Sequence, residues 1–493
     1  MKIISTLSIF LPMIMAIVLP LLKNKERSFK LKLTLTTLII ECLFVILLIA
    51  IPFDGYTLLK MSDLLKVDVK VDALSKVFMI IDSFGFLIAG IFAFKYTETE
   101  EKHGSFKEDV FYCSYLLTLG ALIGMAQAHN LIAMYFFFEL ITLLSMPMVL
   151  FEKTKESINA ALKYLFYSIS GAFLALGMIF ILVKYSNSTD FIGGGTLNLA
   201  LANDNKQLIL WFVLIGVIGF GAKAGMYPLH GWLPTAHPVA PAPASAVLSG
   251  IITKAGVLAI IRVLYFVVGT EFIKGTFVQT TLLILSLITI FMGSMMAYRE
   301  NVLKKRLAFS SVSQISYVSF GVFLFNETAL TGSIMQIFFH STVKICLFLF
   351  AGSIIFITGK HELSELEGLG KQMPKTFGAF TLASLSLIGI PPFAGFVSKW
   401  YLAEGSLSSG VAVIDYLGPV ILLISALLTA GYLLPISIKG FFPGEKFKTT
   451  KKYNDGSPML YVPLIVLSAL SLILGIFANI YMPLISEIIK LIF

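Results

Sequence analysis

The 493-residue chain is 57% hydrophobic and only 13% charged, with a mean hydropathy of +0.90, whereas an ordinary soluble domain is roughly 25% charged. No set of soluble domains hides that much apolar surface, and continuous apolar runs of about 20 residues, in place of alternation over about 10, exclude a barrel and predict an integral membrane protein of helices. The net charge of +9 implies no nucleic-acid partner, because the basic residues sit in short loops between apolar runs, where membrane topology requires them.

About fourteen apolar runs are candidate spans. The first, 3–22, has only Lys2 ahead of it and no A-x-A site, so it is expected to be a retained helix and not a signal peptide. Spans 33–52 and 73–94 follow. Asp82 lies in the third and reads more readily as a polar contact to a neighbouring helix or subunit than as a relay member. Spans 110–128 and 131–151 meet with almost no loop, and Glu139 is the only charge between His129 and Glu152. After 159–184, the span 208–229 carries Lys223 alone. His230 and His237 flank the turn behind it and are secondary candidates. The span 240–267 holds Lys254, with Arg262 near its end and expected to snorkel to the interface.

Spans 277–297 and 308–325 come next. Between them Lys304, Lys305 and Arg306 read as a positive anchor, with Lys305 a secondary candidate for proton entry. The span 328–358 carries His340 and Lys344, four apart and so on one helical face. Lys399 lies in 376–403, five residues before Glu404. Spans 412–438 and 460–488 complete the series. His103 and His361 are loop residues. Cys42, Cys113 and Cys346 lie far apart in apolar segments without a C-x-x-C, so no disulfide framework and no metal or iron–sulfur site is expected.

An ionisable group inside a span costs roughly 2.5–3.5 kcal/mol on insertion scales, which makes each a functional candidate. A structural ion pair or snorkelling explains any single one. Five spans carrying Glu139, Lys223, Lys254, His340 with Lys344, and Lys399 are poorly explained that way. Alternate loops hold about 23 Lys/Arg on one side and about 7 on the other. With fourteen spans, both termini face outward from a cytoplasmic membrane. Two spans are interrupted: 219–243, with Lys223 ahead of Pro228, and 386–399, with Pro391 and Pro392 ahead of Lys399. Proline breaks a helix, and broken backbone at membrane depth persists where it is buried in protein or lines a wet cavity. Two such spans, five apart and each with a lysine, fit repeated transporter halves. Gly219, Gly221 and Gly225 mimic a dinucleotide fingerprint, but no strand precedes them, and small-residue helix packing is the better reading. No Walker A, H-E-x-x-H or G-x-S-x-G motif occurs, so no covalent catalysis and no cofactor are expected in this chain.

The stretch from Lys223 to Arg262, KAGMYPLHGWLPTAHPVAPAPASAVLSGIITKAGVLAIIR, is the most specific signature. VDALS at 71–75, NLIAMYFFFEL at 130–140, LKKRLAFSSVSQ at 303–314, HSTVK at 340–344 and PPFAGF at 391–396 support it. Over nearly its whole length the chain resembles the antiporter-like proton-translocating family: the large antiporter-like subunits of complex I, the A and D subunits of Mrp sodium/proton antiporters, and relatives in membrane-bound hydrogenases. The resemblance implies an all-α membrane protein of about fourteen transmembrane helices, with two inverted five-helix repeats (spans 4–8 and 9–13) and broken helices 7 and 12. The implied division is an N-terminal three-helix segment at 1–109, a first repeat at 110–268, a second at 277–440, and a C-terminal helix at 441–493.

The same resemblance implies roles. Glu139 and Lys223 match a helix-five glutamate and its helix-seven partner, Lys254 the central lysine, His340 and Lys344 the helix-eleven relay, and Lys399 the terminal group. A lysine balanced between burial and a nearby carboxylate switches between charged and neutral, which arginine does not. The expected function is H⁺ or Na⁺ translocation by one subunit of a redox-driven complex. Energy would come from partner membrane subunits, in contact with the lipid bilayer. The alternatives are a D-type Mrp antiporter subunit and, from another class, a non-pumping scaffold. The chain ends soon after the fourteenth span, which favours a D-type Mrp, hydrogenase-type or smaller complex I subunit.

Overall fold

The computed structural model of the protein describes residues 1–22, 25–62, 65–98, 105–444 and 451–493. His103 lies outside the described residues. The helices begin with α1 (Lys2–Leu21), α2 (Arg27–Ala50), α3 (Ala73–Tyr96), α4 (Ser105–Gln127), α5 (Leu131–Val149) and α6 (Lys155–Tyr185). Then come α7 (Leu199–Asp204), α8 (Lys206–Ala224), α9 (Leu233–Val239), α10 (Ala242–Val247), α11 (Thr253–Val263) and α12 (Thr270–Ile273). Next are α13 (Phe277–Arg299), α14 (Leu303–Phe323), α15 (Glu327–Thr358) and α16 (Leu369–Gln372). The last are α17 (Pro374–Ile388), α18 (Ala394–Leu407), α19 (Ile414–Phe441), α20 (Pro458–Ile476) and α21 (Met482–Ile492). Among the described residues, twelve helices are long and apolar enough to cross a membrane. The chain is a multi-pass integral membrane protein.

The helices start where side chains can satisfy free N–H groups. Asp72 accepts from Ser75 N, Asn130 from Ala133 N, Thr154 from Ser157 N and Asn326 from Ala329 N, each worth about 1 kcal/mol. Asn130 explains how α4 and α5 meet so tightly. Helix α6 packs on α8 through glycines: a Cβ on Gly219 would meet Gly171 O at 2.3 Å. That is the small-residue packing expected of the glycine-rich stretch.

Two departures from the expected architecture stand out. The fold is not wholly helical, because β1 (Tyr56–Lys60) pairs antiparallel with β2 (Lys66–Val69) between α2 and α3. The hairpin is pinned by Lys66 Nζ on Asp68 Oδ2 (2.7 Å) and Asp190 Oδ1 (3.3 Å). Burial raises the Asp68 carboxyl, but hydrogen bonds from Lys66, Thr57 and Asn130 outweigh it and hold the group below its usual range. Second, the run at 460–488 is not one helix. It splits into α20 and the short α21, because Pro483 sits in the first turn of α21 and cannot continue a preceding helix. Helix α21 buries Ile485, Ile488 and Ile492 on one face, and its Glu487 pairs with Lys76 of α3 (3.4 Å).

At the centre, Ala242–Val268 is buried along its whole length. Helices α10 and α11 are joined there by a π-helical turn, Leu248–Ile252, and a second one follows at Leu264–Val268.

Candidate functional site

Helix α8 ends at Gly225, whose φ of 75° is the left-handed conformation that glycine adopts cheaply. Trp232 Nε1 donates to the freed carbonyl of Ala222 (2.8 Å). One turn back, Lys223 is completely buried. Its Nζ donates to Phe138 O (2.5 Å) and lies over the Phe138 ring, 3.6 Å from the centroid. The next residue of α5 is Glu139, half-buried, which accepts from Tyr135 OH (3.0 Å). Among the described residues no ion pair joins Glu139 to Lys223, although the two lie within Coulombic reach.

Lys254 opens α11, directly after the π turn. Its Nζ donates to Ser249 O (2.6 Å), a carbonyl that also accepts from Thr253 Oγ1 (2.8 Å). Ser249 Oγ in turn meets Ser311 Oγ of α14 (2.6 Å). On α15, Lys344 Nζ donates to Ser310 Oγ (2.7 Å) and Leu307 O (3.1 Å), and Ser310 is linked to Tyr432 OH (2.7 Å). His340 lies one turn before it, 1% exposed, and among the described residues neither ring nitrogen has a hydrogen-bond partner. Lys254, Lys344 and Lys399 are all within Coulombic reach of His340.

The second break repeats the logic of the first. Helix α17 ends at Gly389 (φ 93°), ahead of Pro391 and Pro392. Lys399 of α18 turns back, and its Nζ donates to Leu387 O (2.6 Å) and Ile388 O (2.9 Å). It does not pair with Glu404. Gln336, His340, Ser386, Leu387 and Gly395, among others, line a crevice between the His340 site and this break that is too tight for a water molecule. Gln336 bridges Gln314 (3.1 Å) and Ser398 (2.5 Å) beside it. Lys399→Met is expected to lower stability by about 3 kcal/mol, because two buried carbonyls lose a charged donor. Thermal unfolding of the purified complex, read together with ion flux, checks this; unchanged stability would mean that other donors already satisfy those carbonyls.

The secondary candidates separate. His237 is fully buried on α9, stacked on Phe348 at 4.7 Å, with both ring nitrogens unbonded and Lys254, Lys304 and Lys344 within Coulombic reach. His230 is half-buried beside Tyr227, away from these groups. Lys305 is paired with Glu300 (2.8 Å) and 42% exposed, so it stands apart from the buried row. Its neighbour Lys304 is the inward one, donating to Ala240 O (2.6 Å) where α9 gives way to α10. Arg262 does not snorkel. It is 2% exposed and grips Asp72 through both terminal nitrogens (2.6 and 2.8 Å). Sequence reasoning also passed over Glu41, a fully buried carboxylate of α2. The signal was there: Glu41 is the only charge between Lys32 and Asp54.

Residues 128–429 match the model of the NADH:quinone oxidoreductase/Mrp antiporter transmembrane family. The chain is 33% identical over 430 residues to the N subunit of NADH-quinone oxidoreductase from Desulforudis audaxviator, covering 83% of this chain and 82% of that one. It is 30% identical over 416 residues to the D subunit of the Na⁺/H⁺ antiporter from Alkalihalophilus pseudofirmus, covering 83% and 80%. In fold it is similar to a chain of the membrane-bound sulfane sulfur reductase, an archaeal respiratory membrane complex, with a TM-score of 0.85, 21% identity and coverage of 99% and 97%. The family match spans more than half of the length, and the chain belongs to the NADH:quinone oxidoreductase/Mrp antiporter transmembrane family.

Proposed function

We propose that the chain moves protons across the cytoplasmic membrane as one subunit of a redox-driven multisubunit complex. The route is Glu139, Lys223, Lys254, His340 with Lys344, then Lys399, with His237 beside its centre. One observation carries this reading. Lys223, Lys254, Lys344 and Lys399 bond to backbone carbonyls and a hydroxyl, and among the described residues none is ion-paired to a carboxylate. A cation fixed for structure in such a place needs a counter-ion, as Arg262 has in Asp72, because an unpaired buried charge costs several kcal/mol. A lysine can release its proton instead. That argues against a non-pumping scaffold.

Several details belong to the same reading. The twelve long apolar helices, with α14 and the α17–α18 pair, make fourteen crossings. Helices α4–α11 and α13–α19 are two inverted five-span repeats, each with its fourth span broken. The excess of Lys/Arg on alternate loops puts both termini outside. The 30% identity to a D-type antiporter chain supports a second reading, a gradient-powered antiporter component that moves Na⁺ as well. Isolating the native complex and identifying its other subunits separates the two.

The test of the route is Glu139→Gln in the whole complex, reconstituted in vesicles. Glutamine preserves the acceptor for Tyr135 OH but holds no negative charge to draw a proton to Lys223. Transport is expected to fall about a hundredfold, the loss typical of a missing proton-transfer group, with assembly intact. Normal transport by a fully assembled variant would sink the Glu139–Lys223 step.

A further inference from the structure

Helix α2 lies outside the proposed route and is largely apolar, yet one of its stripes is polar. Arg27, Lys30, Thr34, Thr37 and Glu41 recur every three or four residues, so they share one face. Thr34, Thr37 and Glu41 are 1%, 3% and 0% exposed. At the start of the stripe, Arg27 holds Glu108 (2.9 Å) and Lys30 holds Asp109 (2.7 Å), with Thr97 Oγ1 donating to Glu108 (2.6 Å). Further along, Thr34 and Thr37 donate to Lys30 O and Leu33 O, which leaves their oxygen lone pairs free to accept. At the far end, neither oxygen of Glu41 has a hydrogen-bond partner among the described residues. An ionisable side chain without a partner at that depth is costly to keep, which makes it a functional candidate.

Helix registers show where this stripe leads. A Cβ on Gly90 of α3 would meet Leu38 at 2.7 Å, and Cys42 and Ser83 line one cleft. Glu41 is therefore level with residues 84–87 of α3. A Cβ on Gly85 would meet Ile251 at 2.5 Å, and Arg262 binds Asp72 and Ser75. Helix α3 thus runs antiparallel to the central helix, with Asp82 level with Lys254. Asp82 is 3% exposed, and among the described residues no hydrogen bond joins it to a neighbouring helix. Glu41 and Asp82 differ in depth by about 3–8 Å at 1.5 Å per residue. The other titratable groups on helices packed against α3 include Tyr112 and Tyr115 of α4 and His340 and Lys344 of α15.

We propose that this face of α2 and α3 is a second proton inlet, running from the Glu108–Asp109 cluster past Thr34 and Thr37 to Glu41 and Asp82, and delivering to Lys254 from the side opposite Glu139. It rests on the proposed function, since it needs Lys254 as the receiving group. Two carboxyls on separate helices, without a cage of further oxygen ligands, suit a proton and not a metal cation. A proton enters as hydronium at the cluster, passes as a relay of hydrogen bonds through water and hydroxyl, and reaches Asp82 by way of Glu41.

The test uses the whole complex in proteoliposomes, with Glu41→Gln, Asp82→Asn, Thr37→Val and, as conservative rescue, Glu41→Asp. Glu41→Gln and Asp82→Asn should each slow transport about tenfold, a coupling of ordinary size between sites. Glu41→Asp should restore most of it. Infrared difference spectra between the resting and the turning-over complex should show a change in a carboxyl stretch that Glu41→Gln removes, a change that a purely structural Glu41 does not give. Lys254→Ala in the same vesicles separates the two ideas. If Lys254→Ala is inactive while Glu41→Gln and Asp82→Asn keep the parent rate, the inlet is wrong and the main route stands. If Lys254→Ala also keeps the parent rate, the main route fails and the inlet with it.

Discussion

Lys254→Arg is expected to slow proton transport about as badly as Lys254→Ala, by about a hundredfold or more, in a complex that still assembles. Lys254 is 2% exposed, and its only hydrogen-bond partner among the described residues is Ser249 O. Arginine supplies the same charge and ample donors for that carbonyl, so a role of merely holding the π turn would survive the change. What arginine does not do is give up a proton at physiological pH. The two variants therefore separate charge from exchange. Flux measured in vesicles, alongside the amount of intact complex, checks the result. An arginine variant that pumps like its parent would make Lys254 a fixed charge.

The largest effect on stability is expected at Arg262. Removing one partner of a buried ion pair strands the other, at a cost of about 3–5 kcal/mol. Arg262→Met leaves Asp72 facing the wall of Phe191 and Phe266, between which the guanidinium lies at 5.1 and 4.8 Å. Asp72 also caps α3 through Ser75 N (2.9 Å), so the start of that helix should loosen as well. Replacing both, as Arg262→Met with Asp72→Asn, should recover most of the loss while keeping the cap. Thermal unfolding of the three proteins gives the comparison. Equal stability of the single and double variants would mean that Asp72 finds another donor.

The route was readable because a charge inside an apolar run is conspicuous. Glu139, Lys223, Lys254 and Lys399 each interrupt twenty or so apolar neighbours. The two breaks were readable from Gly225 with Pro228 and from Gly389 with Pro391 and Pro392. Contacts between distant segments were not. Nothing near Arg262 indicates that Asp72, 190 residues earlier, folds back onto it, so an end-of-span arginine looks like one that reaches for the interface. Lys304 and Lys305 differ only in helical phase. A run of three basic residues does not show which of them turns inward. The strands beside Asp68 are four and five residues long, too short for alternation to register. Charge alone did not find Ser249, Ser310 or Gln336 either, since small polar residues are common in packed membrane helices.

The two π turns of the central helix make it sensitive to phase. A π turn behaves as one extra residue slipped into an α-helix, and each residue of an α-helix advances the side-chain direction by about 100°. If Leu248–Ile252 rewound into an unbroken α-helix with all of its residues kept, everything beyond it would turn by that angle. Lys254 would leave the carbonyl of Ser249, and Arg262 would swing away from Asp72 in the same motion. Substitutions along this helix act one at a time, but a change in how the turn is wound acts on both at once. The positions of Lys254 and Arg262 are thus set together by the winding of one short segment.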